Sequence, residues 1–65
     1  MKINRRKIQC IMAEKKLTIT KLAADSGMSR QQLSVILAKE KCTPVSAGRI
    51  AEGLSVAVTE IVKEE

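Results

Sequence analysis

Sixty-five residues carry 12 Lys and Arg against 7 Asp and Glu, a net charge of +5 with a pI near 9.6, and 45% of them are apolar. A chain of this size buries only about 60% of the surface that its unfolded form exposes, so one small core with a stability on the order of 3–5 kcal/mol is expected, too little scaffold for most enzymes. With no His, Trp, Tyr or Phe, imidazole acid–base and triad catalysis are excluded, two cysteines fall short of a zinc ligand set, and no ring is present on which splayed bases could stack.

No segment alternates β-branched and polar residues for long enough to form a sheet, and there is no repeat or low-complexity tract. The pattern predicts a single all-α domain over residues 1–65. Its first helix starts after Asn4, a good N-cap, and runs to about Lys15, with Ile8, Ile11 and Met12 on one face, Arg5, Arg6 and Lys7 outside, and Cys10 nearly opposite the apolar side. Thr18 caps a second helix, Ile19 to about Ser26, whose inner arc gathers Ile19, Leu22, Ala23 and Ser26; Gly27 supplies the positive φ that closes it. Ser29 caps a third helix running to about Lys39, with Leu33, Ile36 and Leu37 converging on one side. Only Gly27 and Met28 separate the second helix from the third, so the two must cross steeply, with the small Ala23 letting their backbones approach: a helix-turn-helix at about residues 18–39. After a polar stretch with Pro44, a fourth helix from about Val45 to Leu54 turns Ile50, Ala51 and Leu54 inward. Gly48 and Gly53 within it cost about 1 kcal/mol each relative to Ala, unless close packing needs them. A fifth helix from about Ala57 to Lys63 turns Val58, Ile61 and Val62 to the core, which makes five short helices in all.

The longest apolar runs, such as residues 35–38, are four residues, far short of the roughly 20 that span a bilayer. The basic start, residues 1–7, leads into no apolar h-region. A cytoplasmic protein is therefore expected, with no membrane contact and with Cys10 and Cys42 as free thiols. Its charge is polarised: residues 1–41 hold ten Lys and Arg against three acids, net +7, whereas residues 42–65 hold two against four, net −2. One pole is built to face an anion.

The stretch Leu17-Thr18-Ile19-Thr20-Lys21-Leu22-Ala23-Ala24-Asp25-Ser26-Gly27-Met28-Ser29 resembles the lambda-repressor-like, or XRE-type, helix-turn-helix proteins. Leu33 and Ile36 match that family's two buried recognition-helix positions, Pro44 its loop proline, and Ile50-Ala51-Glu52-Gly53-Leu54-Ser55-Val56 its fourth-helix ending, so the likeness covers nearly the whole chain. The resemblance implies a compact five-helix domain that binds double-stranded DNA, usually as a transcriptional regulator. It departs at Ile19, where the family usually has a Gln that touches a phosphate, so that contact is not carried over. It departs again at Leu37, Ala38 and Lys39, where Glu and Asn-Gly are common.

Helical geometry independently turns Gln31, Ser34, Val35 and Ala38 to the outer arc of the third helix, with Gln32 on a flank and Arg30 in the first turn. A major groove about 12 Å wide admits such a helix, and each type has a matching base edge: Arg30 for guanine O6 and N7, Gln31 or Gln32 for adenine N6 and N7, Val35 for a thymine methyl. Arg30, Gln31, Gln32, Ser34 and Val35 are thus the candidate base readers. Thr18, Thr20, Lys21, Ser29, Lys39 and Lys41 are the candidates for holding the sugar–phosphate backbone. A helical adaptor that kept the fold without DNA is the alternative, and it would want an apolar outer face on the third helix; an RNA binder would want aromatics. No effector domain is expected beside the reader, hence no small-molecule effector, and no cofactor or metal is expected either. Because one reader contacts only about four or five base pairs, too few to find a site among millions, a homodimer is expected. It is weak or forms only on DNA, on an imperfect palindrome with half-site centres about 10–10.5 base pairs apart.

Overall fold

The computed structural model describes residues 1–63, and each of its helices begins at a short polar side chain. Asn4 Oδ1 accepts from the Lys7 amide at 3.0 Å, Thr18 Oγ1 from Lys21 at 3.1 Å, Ser29 Oγ from Gln32 at 3.0 Å and Thr43 Oγ1 from Ser46 at 3.2 Å. Each bond satisfies one of the amides that a helix leaves unpaired at its start. The helices that follow are α1 (Arg5–Lys15), α2 (Ile19–Asp25), α3 (Arg30–Lys39) and α4 (Pro44–Leu54). Pro44 takes the first position of α4, where its missing N–H costs nothing, so α4 starts one residue earlier than the apolar spacing suggests.

The helix ends are less uniform. Gly27 takes the expected positive φ, at 70°, but Lys16, Glu40 and Ser55 close α1, α3 and α4 in the same left-handed region at 55°, 53° and 59°, without a glycine to mark the spot. At the far end of α4, the Lys15 ammonium donates to the Leu54 carbonyl, so the last turn of α1 caps the last turn of α4.

The buried core comprises Ile8 from α1, Leu22 and Ala23 from α2, Leu33, Ile36 and Leu37 from α3, and Ala47, Ile50, Ala51 and Leu54 from α4, joined by Ile3 and Ile61 from the chain's two ends. Ile11, Met12, Ile19 and Val58 pack against it half-buried. The α2–α4 seam is tight. A Cβ added at Gly53 would lie 3.1 Å from Leu22 Cδ1 and 3.2 Å from the Ser26 amide nitrogen, and would collide with Ser26 Oγ. Close packing is therefore the reason for this glycine, while a Cβ at Gly48 would meet nothing within 4 Å. Ser26 Oγ, fully buried in that seam, has no hydrogen-bond partner.

The expected fifth helix is not formed. Residues 58–60 make a single 3-10 turn, and only Ile61 of the three expected core residues is fully buried; Val58 and Val62 are half-buried. Among the described residues the architecture is four α-helices and this turn. Val58, Thr59, Ile61 and Val62 are β-branched and lose side-chain freedom in a helix, and so short a segment gains little helical hydrogen bonding. Its backbone pairs instead with the chain's start. The Asn4 amide donates to the Ile61 carbonyl at 2.7 Å and the Lys63 amide to the Lys2 carbonyl at 3.0 Å. On the other side of this strap, the Ile3 amide donates to the Glu40 carbonyl and the Cys42 amide to the Met1 carbonyl, each at 3.0 Å. Isolated antiparallel bridges, Lys2 with Lys41 and Ile3 with Val62, result; among the described residues they form no strand.

Candidate nucleic-acid interface

Burial of Leu33, Ile36 and Leu37 against the rest of the core decides what α3 shows to solvent. Arg30, Gln31, Gln32, Ser34, Val35, Ala38 and Lys39 are all exposed, so the five expected base readers do share the outward surface of one helix. At 100° per residue they divide into two edges. Gln31, Gln32 and Val35 face the start of α4, and Arg30 and Ser34 lie toward the opposite side of the arc.

On the first edge the surface is concave. A groove of about 480 Å³ separates α3 from residues 42–46 and is lined by Ser29, Gln31, Gln32, Val35, Ile36, Cys42, Thr43 and Ser46. Cys42, Thr43 and Ser46 were not among the residues that the sequence singled out. They come to the site because the strap holds the chain after Glu40 against residues 1–3. The available signal was Thr43 followed by Pro44, a cap and first-position pair that starts a helix and turns its first hydroxyls toward α3. Thr43 Oγ1 also donates to Ser46 Oγ at 3.1 Å. Among the described residues no carboxylate lines the groove.

The candidates for backbone contact are exposed without exception, but they are not equivalent. Thr18 and Ser29 already use their oxygens as caps, which leaves each hydroxyl hydrogen free to donate outward. Thr20 is exposed in the first turn of α2. The Lys21 ammonium lies 3.3 Å from Asp25, one turn on, so part of its charge is already answered. Lys39 and Lys41, flanking the end of α3, have no ion-pair partner among the described residues.

Cys42 is half-buried and burial pushes its thiol above the ordinary range, whereas Cys10 is exposed on α1; the two do not pair. Among the described residues no three His, Cys, Asp or Glu side chains gather to hold a metal ion, and no helix is long and apolar enough to cross a membrane.

A family model for the Cro/C1-type helix-turn-helix DNA-binding domain matches residues 7–63, which takes in all four helices except the start of α1 and reaches the turn at 58–60. The chain belongs to the Cro/C1-type helix-turn-helix family. This DNA-binding class fits the exposed polar arc of α3 and the capped α2–α3 turn. No curated protein matches the chain. Two solved structures are similar, one of PhpD with cadmium and hydroethylphosphonate and one of native PhpD with cadmium atoms. Each is 26% identical over 98% of this chain, with a TM-score of 0.81, and the match covers 14% of that chain. The likeness is to a small part of a much longer protein.

Proposed function

We propose that this chain is a sequence-specific, double-stranded-DNA-binding transcriptional regulator that sets α3 in the major groove. The observation that carries the reading is the outward face of α3: Arg30, Gln31, Gln32 and Ser34 stand exposed on a helix whose other face is sealed in the core, in a family defined by DNA binding. Arg30, Gln31, Gln32, Ser34 and Val35 read base edges. Thr18, Thr20, Ser29, Lys39 and Lys41 hold the backbone, and Lys21 contributes less because Asp25 competes for it. The protein works in the cytoplasm, without cofactor or small-molecule effector, and pairs as a homodimer on an imperfect palindrome, since one reader of this size cannot specify a site alone.

The adaptor reading keeps one specific support: Val35 of α3 and Val45 of α4 are 46% and 67% exposed, as apolar side chains of a protein-docking surface would be. Selection of bound duplexes from random DNA, followed by a salt titration on the winner, separates the two. The regulator yields a defined motif and a log K that falls by about 0.9 per phosphate neutralised for each unit of log salt. Binding that selects no motif, or that ignores salt, defeats it in favour of the adaptor. Stoichiometry on the selected duplex tests the dimer separately: one subunit on a site without symmetry removes that claim alone.

A further inference from the structure

We infer that the outward face of α4, formed by Val45, Gly48, Arg49 and Glu52, pairs with the same face of a second copy of the chain across a two-fold axis. The inference rests on the homodimer of the reading above and names the surface that forms it.

At 100° per residue those four positions fall within an arc of about 100°. Ser46, which lines the groove beside α3, and Gly53, which α2 crowds, lie outside that arc, as do the buried Ala47, Ile50, Ala51 and Leu54. The arc therefore faces away from the rest of the fold, and a single copy of the chain explains none of its three features. Val45, at 67%, is the most exposed large apolar side chain among the described residues. Gly48 weakens the helix, yet its φ is not positive and a Cβ there would meet nothing within 4 Å, so neither backbone nor packing within the chain calls for a glycine. Arg49 and Glu52, three residues apart and both exposed, have no ion-pair partner among the described residues.

A second copy answers all three. A two-fold axis perpendicular to α4, passing between Arg49 and Glu52, sets the two α4 helices antiparallel and each face against itself. Arg49 of each copy then meets Glu52 of the other, so one arginine and one glutamate supply two ion pairs. Val45 lies roughly 8 Å along the helix from that axis and so reaches residues 55–57 of the other copy, where Val56 is half-buried and Ala57 exposed. Gly48, without a side chain, lets the two backbones approach. DNA would be repelled by Glu52, and an apolar peptide would leave both charges unanswered. The face is that of one 11-residue helix, about 16 Å long, and falls short of the roughly 800 Å² per partner of a standard stable interface. Pairing is therefore weak in free solution and gains strength where a palindrome holds two copies side by side.

The test is cooperativity on the duplex that the wild-type protein selects from random DNA: how much more tightly the second copy binds than the first. Each variant is referred to its own affinity for a single half-site, so a change in net charge cancels. The wild-type protein should bind the second copy more tightly. Arg49→Glu or Glu52→Arg alone should lower the cooperativity about tenfold, because both symmetric pairs turn repulsive. The two substitutions together rebuild the pairs in the opposite sense and should restore it. Gly48→Gln should raise the thermal unfolding midpoint, Gln being the better helix former, and yet lower the cooperativity, a combination that a change in folding alone would not produce. The inference is overturned if two copies bind independently, if the single reversals leave cooperativity unchanged, or if the double reversal fails to restore it. Two cooperative copies indifferent to both reversals would overturn only the α4 face and keep the homodimer; one copy on a site without symmetry would overturn the homodimer itself.

Discussion

The two ends of α4 serve opposite purposes. Toward its C-terminus, Ile50, Ala51 and Leu54 are buried and Gly53 admits α2 so closely that a single added carbon would strike Ser26 and crowd Leu22. At its N-terminus, Thr43 and Ser46 stand across an open groove of about 480 Å³ from α3. One helix thus has a closed end, where a volume change is felt as lost stability, and an open end, where apart from the Thr43 cap side chains can change with little effect on folding.

Substitutions can break this contrast or sharpen it. The largest effect belongs to the closed end. Leu22→Ala should cost about 2–5 kcal/mol, as much as the whole stability expected of so small a domain, and urea denaturation should show it largely unfolded. Gly53→Ala comes next. Despite the gain in helix propensity it should destabilise by about 1–3 kcal/mol through overpacking. Ser26→Ala, which removes the struck hydroxyl along with a buried group that lacks a partner, should recover a measurable part of that loss in a double-mutant cycle. Gly48→Ala, with nothing in reach of its Cβ, should stabilise by about 1 kcal/mol. If the two glycine substitutions had the same sign, the seam would not be as tight as described.

At the open end the readout is binding. Gln31→Ala should weaken the preferred duplex by about 1–3 kcal/mol and flatten the preference at one base step, with the unfolding midpoint shifted by no more than about 0.5 kcal/mol of stability. Lys21→Ala should weaken all sequences alike, and by less than Lys41→Ala, because the Lys21 charge is shared with Asp25; salt titrations of the two variants compare them. The smallest effect concerns the thiols. The raised pKa of Cys42 leaves less thiolate at any given pH, so Cys42 should react with a disulfide reagent more slowly than the exposed Cys10 and gain rate as pH rises. The selected duplex should slow Cys42 further and leave Cys10 unchanged. Equal protection of both would place the DNA elsewhere.

Much of the site was legible from sequence because its determinants are local. An N-cap acts on an amide three residues on, so Asn4, Thr18 and Ser29 mark helix starts wherever the helix then packs. Once Leu33, Ile36 and Leu37 are assigned inward, helical phase alone turns Gln31, Ser34 and Val35 outward. The groove was not legible. Its second wall depends on how far α4 stands from α3, and that distance is set by contacts between segments remote in the chain.

The sequence by itself determined the all-helical class, the α2–α3 turn with its positive-φ Gly27 and the face that α3 exposes, since each follows from residue type and spacing within a few turns; the kinship to DNA readers came from its resemblance to a known family. Tertiary structure alone decided the rest. Ile3 enters the core, and the expected fifth helix gives way to a 3-10 turn, because the backbone groups at the two ends of the chain find each other. Every residue carries a main-chain acceptor and every residue but proline a donor, so no side chain announces such bonds in advance. The same holds for the left-handed ends at Lys16, Glu40 and Ser55. Packing of the helices forces the turn there, and it does so on residues whose own preference would be otherwise.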